Sequence, residues 1–210
     1  NVFIFFFPHS ALSCMINLFA KQICCDKITG RIERFRFLCP DKIFADTGGI
    51  FMISVPITDV KNFMAHLLSR ETFDLFYLVE ASFKKEISYH IDGHLNEDFF
   101  DSDSERPERE YCLWKEVRPF AFSIIKGKRL PLGCKVVLAL PKATVSFLIK
   151  ESRCSFREED IEGIYLNILY EPENLLITTG ISYRTFSLDK SLEQNVDDHM
   201  KRFLQKKGIC

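Results

Sequence analysis

Ile164-Tyr165-Leu166-Asn167-Ile168-Leu169-Tyr170 and Leu175-Leu176-Ile177-Thr178-Thr179 flank the polar tetrapeptide Glu171-Pro172-Glu173-Asn174. Two runs rich in branched and aromatic residues around so short a turn read as a β-hairpin. Upstream, Cys134–Leu140 is another strand, followed after Pro141 by a helix to about Lys150. Downstream, Asp189–Lys207 is a helix with Leu192, Val196, Met200, Phe203 and Leu204 on one face. Asp189 is its expected N-cap, and Lys201, Arg202, Lys206 and Lys207 suit its negative C-terminal end.

The half of the chain before this hairpin reads the same way. Met52–Ile57 is a short strand, and Thr58 or Asp59 caps a helix running to about Ser69. Val60, Phe63, Met64, Leu67 and Leu68 give that helix its apolar face. Phe73–Phe83 and Ile87–Ile91 are strands joined near Lys84-Lys85-Glu86, and Asn96–Glu110 is a charged loop centred on 101–105. Trp114–Lys126 reads as a helix broken by Pro119 and ended by Gly127.

The expected fold class is therefore α+β. The order strand, helix, strand, strand occurs twice, over 52–93 and 135–180. Val60 aligns with Val145, Tyr77-Leu78 with Tyr165-Leu166, and Gly93 with Gly180. Two such units sharing a sheet would put both helices on one face, with the Trp-containing and C-terminal helices added.

The 210 residues include 28 Lys+Arg against 29 Asp+Glu. A net charge of −1 excludes a uniformly basic nucleic-acid protein but leaves room for a local basic patch. Residues 1–51 stand apart: they hold nine of the 21 Phe and four of the eight Cys, with no clean period of 2 or 3.6. Pro8, His9, Ser10, Ser13 and Asn17 interrupt the opening apolar run, which is too broken for a membrane span. No cation precedes Lys21, so a signal peptide lacks its basic start. The composition matches translated AT-rich non-coding DNA, and Gly48-Gly49 could encode a purine-rich ribosome-binding site. The expected organisation is a non-native or disordered extension over 1–51 and one domain over 52–210. Beyond Met52, Cys112, Cys134, Cys154 and Cys210 are scattered, which suits a reduced, cytoplasmic protein with no metal site.

From Met52 onward the chain resembles an uncharacterised bacterial family of anaerobic Gram-positive species, known only as a domain of unknown function. The resembling stretches are Ile91-Asp92-Gly93, Tyr111-Cys112-Leu113-Trp114-Lys115, Ile125–Leu132 and Thr185–Glu193. The resemblance implies no activity. Repeated strand-helix-strand-strand units also resemble, in element order alone, half of a sliding DNA clamp.

Among candidate sites, the basic one stands out. Lys115, Arg118, Phe122 and Lys126 share a helical face, and Lys126-Gly127-Lys128-Arg129 follows, where a glycine lets backbone N–H groups and cations converge on a phosphate. Trp114, Val117, Ala121 and Ile124 form the expected buried face. The spacing His90-x-Asp92-x-His94 could gather metal-ligand types on one strand face, but Asp92-Gly93 reads better as a turn. Ser182, Arg184, Thr185 and Lys190 approach a helix N-terminus, which suits an anion. No P-loop, nucleophile-elbow or Rossmann signature occurs, and no cofactor is called for.

The leading expectation is a cytoplasmic, non-catalytic protein binding a phosphate-bearing partner, nucleic acid included, through Lys115, Arg118, Lys126, Lys128 and Arg129. The alternatives are a hydrolase or transferase built from His90, Asp92, Ser182 and Arg184, and an interaction module that dimerises through exposed strand edges. Peptide mapping of the native protein should find its N-terminus at Met52; any peptide from before that residue refutes the proposed start.

Overall fold

The computed structural model describes residues 50–101, 107–172, 174–185 and 189–210, and for residues 50–53 the backbone alone. Of the expected non-native or disordered extension 1–51, residues 1–49 lie outside the described residues, as do residues 102–105 of the acidic tract. Among the described residues six strands form one antiparallel sheet: β1 (Ile50–Pro56), β2 (Tyr77–Lys84), β3 (Ser88–Asp92), β4 (Gly133–Ala139), β5 (Ile161–Glu171) and β6 (Asn174–Tyr183). Their spatial order is β1-β6-β5-β4-β2-β3. There are four α-helices among the same residues: α1 (Val60–Leu68), α2 (Trp114–Ile125), α3 (Lys142–Ser152) and α4 (Ser191–Lys206). The α+β class is what the architecture shows.

The quoted hairpin supplies two inner strands of the sheet, β6 and β5. β5 and β6 pair from Ile161↔Tyr183 to Glu171↔Asn174, with a bulge near Gly163. Alternation then sorts the side chains. Ile164, Leu166, Ile168 and Tyr170 of β5 enter the core with Leu175, Ile177 and Ile181 of β6. The same cluster takes Leu67 of α1, Trp114 of α2, Leu148 of α3 and Val196 of α4, so all four helices cover one face. On the other face a single register row crosses all six strands: Ser54, Thr178, Asn167, Val137, Glu80 and Asp92.

The two strand-helix-strand-strand segments meet around β4. Tyr77 and Tyr165 flank Ala139 from either side, and Leu78 and Leu166 flank Leu138. The two units share one sheet, yet their first strands are used differently. β4 pairs with β5 of its own unit, whereas β1 lies at the sheet edge against β6. Two residues before Met52, Ile50 and Phe51, take part in that edge pairing.

Local signals hold at most helix ends. Asp59 Oδ1 accepts the Asn62 N–H at 2.9 Å and starts α1. α4 departs from expectation, because it begins at Ser191 and Asp189 lies ahead of the cap position. The Asp189 carboxylate is shared instead: Oδ2 accepts from Ser155 N–H and Oγ, and Oδ1 accepts from Ser191. These hydrogen bonds, with Ser191 the largest contributor, hold its pKa down to about 2. α2 corrects a second expectation, since it runs through Pro119 without a break. The proline forfeits one backbone hydrogen bond, but buried Trp114, Ala121 and Ile125 fix the helix on both sides of it. The buried stripe thus ends on Ile125, with Ile124 only partly covered.

Trp114 is fully buried, and its indole N–H donates to the Leu67 carbonyl at 2.8 Å. Its backbone N–H donates to the Phe76 carbonyl, also at 2.8 Å. Among the described residues no helix is long and apolar enough to cross a membrane, and Cys112, Cys134, Cys154 and Cys210 are all free thiols. Trp114→Ala should cost about 3–5 kcal/mol in chemical denaturation, as large aromatic truncations in a packed core do. A change below about 1 kcal/mol would contradict the burial on which this rests.

Candidate functional site

The ends of the strands carry two different kinds of surface. At one end, the β2–β3 turn meets the chain leaving α2. Lys85 Nζ donates to the Ile124 carbonyl at 3.0 Å and lies 3.5 Å from the Lys126 carbonyl oxygen. The far side of the same loop returns to the turn through Leu132 N–H, which donates to the Lys84 carbonyl at 2.7 Å. Residues 126–132 therefore form an arch pinned at both ends to the β2–β3 turn. Lys126, Lys128 and Arg129 are exposed on it, and Lys84 is exposed beside it.

Sequence spacing missed Lys84 and Lys85, which lie about forty residues from the arch and join it only through sheet registry. It also misjudged two members of the helical stripe. Arg118 is withdrawn from solvent: it pairs with Asp74 at 3.2 Å and donates to the Arg70 carbonyl. Phe122 packs against the core, and the exposed ring on α2 is Phe120. Lys115 is exposed on the first turn of the helix. Gly127 is not in the left-handed region; a Cβ there would lie 3.3 Å from Lys85 Nζ, so the glycine leaves room for that lysine.

The opposite end of the sheet is hollow rather than convex. A cavity of about 280 Å³ is floored by Ala139, Leu140 and Gly163 and walled by Tyr77, Tyr111 and Tyr165. Through Tyr111 it adjoins a second hollow of about 380 Å³ lined by Glu80, His90, Asp92 and His94. The four alternative candidates divide here. His90 and Asp92 belong to the second hollow and Arg184 to the first. Ser182 is buried, and its hydroxyl donates to Glu162 Oε2 at 2.6 Å.

His90 and Asp92 do share a sheet face, opposite Ser82 and Glu80. Asp92 Oδ1 accepts the His94 N–H at 3.0 Å, which makes the Asp92-Gly93 turn. His94 leaves the strand line: its ring stacks 4.8 Å from Tyr111 and its Nε2 lies 3.1 Å from Glu110. Among the described residues no group of three His, Cys, Asp or Glu is placed to hold a metal ion.

The segment Arg109–Leu113 links this hollow to α2. Glu116 Oε2 accepts the Leu113 N–H at 2.9 Å, while Oε1 takes Arg109 Nη2 at 2.8 Å. The Arg109 hydrogen bond holds the Glu116 carboxyl below the usual range. Burial first, then Glu110, raises the Tyr111 phenol, and burial with Glu162 pushes Tyr165 up to about 12.

A family model matches residues 66–210, and the description it carries is a family of unknown function, DUF5721. The chain belongs to that family. The DUF5721 match begins inside α1, so β1 and the Asp59 cap lie ahead of it. No curated protein and no solved structure matches the chain. The likeness to half a sliding clamp therefore rests on element order alone.

Gly93 shows how tightly the hollow end is built. A Cβ on this residue would sit 1.9 Å from the Leu78 carbonyl oxygen, a backbone atom. Gly93 N–H donates to the Val79 carbonyl at 2.9 Å, and its own carbonyl accepts from Cys112 at 2.8 Å. Gly93→Ala should destabilise the fold by on the order of 3 kcal/mol, because rigid backbone must move to admit the methyl. Equilibrium unfolding measures this, and an unchanged midpoint would contradict the close approach.

Proposed function

We propose that this DUF5721 chain is a cytoplasmic, non-catalytic binding protein for a phosphate-bearing partner, with nucleic acid the first to test. The supporting observation is the pinned arch. Lys85 reaches the end of α2 and gathers Lys84, Lys126, Lys128 and Arg129 from two segments at one end of the sheet. Such a cluster, exposed and carried on a loop held at both ends, suits a run of phosphates better than a single buried anion. Glu86 is the acidic residue in the adjoining turn. The four cysteines among the described residues are free thiols, which supports the cytoplasmic assignment.

The enzyme reading draws less support. A serine nucleophile needs a base that can take its proton and return it, and Ser182 faces a carboxylate while His90 lines a different hollow. Lys115 remains part of the proposed surface. Arg118 does not, because Asp74 already holds it.

Phosphate contacts release condensed counterions, so log affinity for duplex nucleic acid should fall linearly with log salt, by about 0.9 per contact. Removing Lys128 and Arg129 together, as Lys128→Ala with Arg129→Ala, should shallow that slope by about 1.8. Binding should weaken equally for unrelated sequences, since phosphates carry no base information. Folding stability should change by only about 0–1 kcal/mol. Fluorescence-anisotropy titrations from low to moderate salt measure the slope. An absence of binding at low salt refutes the reading, and an unaltered slope in the double variant removes the arch from it.

A further inference from the structure

The cavity at the hollow end of the sheet lies away from the arch and has a different chemistry. We propose that it binds a small zwitterion of the amino-acid type, carrying an ammonium and a carboxylate on one compact frame. Its lining contains three cations, Arg109, Lys142 and Arg184, and three carboxylates, Glu110, Glu158 and Glu162. A bare anion would meet the carboxylates and a bare cation the basic groups. A molecule carrying both charges can satisfy both sets.

Binding capacity remains after the internal pairings are made. Glu162 holds Ser182, and Glu110 lies beside His94. Arg109 is already engaged, its Nη2 held by Glu116 at 2.8 Å and its Nη1 shielded from solvent. Lys142 and Arg184 enter no ion pair among the described residues.

The start of α3 adds to the same wall. Lys142, Val145 and Ser146 line the cavity, and the helix has no side-chain cap. Thr144 and Val145 return their N–H groups to the Pro141 carbonyl at 2.9 and 3.1 Å. The orphan N–H groups are therefore those at the very start of the first turn, beside Lys142, and the positive end of the helix dipole there suits a carboxylate. The ammonium end of the ligand has the carboxylates and the aromatic side chains of Tyr77, Tyr111 and Tyr165 to meet it. At about 280 Å³ the cavity is just below the usual range for drug-sized ligands, about 300–1,000 Å³, and fits a small metabolite.

The test uses the full chain in thermal-shift and calorimetric titrations with each of the twenty common α-amino acids. At least one should stabilise the protein saturably. Its N-acetyl derivative and its methyl ester, each lacking one charge, should bind at least about tenfold more weakly. Lys142 and Arg184 are exposed, so Lys142→Ala with Arg184→Ala should leave the unliganded melting temperature unchanged while weakening binding by at least about tenfold. Gly163→Ala gives an independent probe, because its methyl would lie 2.7 Å from the Tyr165 hydroxyl oxygen and crowd the cavity floor. Lys128→Ala with Arg129→Ala should leave this affinity unchanged, which keeps the test separate from the phosphate-partner reading. The inference is overturned if no amino acid saturates, if either blocked derivative binds as well as the parent, or if inorganic phosphate alone binds as tightly.

Discussion

The Trp114 indole N–H, donated inside the core to the Leu67 carbonyl, is the contact on which both ends of the molecule depend. It joins α2 to the last turn of α1, and the Trp114 backbone joins the same helix to Phe76, just ahead of β2. A buried indole without an acceptor would cost stability, so this geometry is selected as well as filled. From Trp114 the chain runs backward through Leu113 to Arg109 and forms one wall of the cavity. It runs forward through α2 to Lys126 and begins the arch. Moving that one ring would displace a wall of one site and the springing point of the other.

β4 plays the corresponding part within the sheet. Tyr77 and Tyr165 come from segments 88 residues apart, yet both border Ala139 and so both reach the cavity. At the other end of the same strand, Gly133 pairs with Lys84 and brings the β2–β3 turn under the arch. The sheet separates the two chemistries by strand length: mixed charge and phenols at one end, exposed cations at the other. Neither arrangement interferes with the helix-covered face, whose strand positions are filled by aliphatic and aromatic side chains together with Cys134 and with Thr179, which donates to Asp197 of α4 at 2.8 Å.

Much of the fold is legible in the chain because its signals are local. The Asp59 cap, the buried faces of α1 and α4, and the β5–β6 hairpin each follow from residues within one element or one turn. The failures are equally physical. Pro119 reads as a helix break, but its position tolerates one lost hydrogen bond when buried residues on either side hold the helix. Arg118 reads as a free cation from its spacing, and only the placement of Asp74, forty-four residues earlier, neutralises it. Asp189 has the chemistry of a cap, but Ser155 competes for its carboxylate from another part of the chain.

The sequence by itself determined the α+β class, the element order, the family resemblance and the cationic tract Lys126–Arg129, because periodicity, caps and composition are encoded over a few residues. The tertiary structure alone decided the strand order, the recruitment of Lys84 and Lys85 to the arch, and the meeting of Arg109, Lys142 and Arg184 around one cavity. Those outcomes depend on registry between strands and on which distant carboxylate or carbonyl reaches a given side chain. No spacing along the chain records that information; it exists only once the sheet has closed and Trp114 has docked.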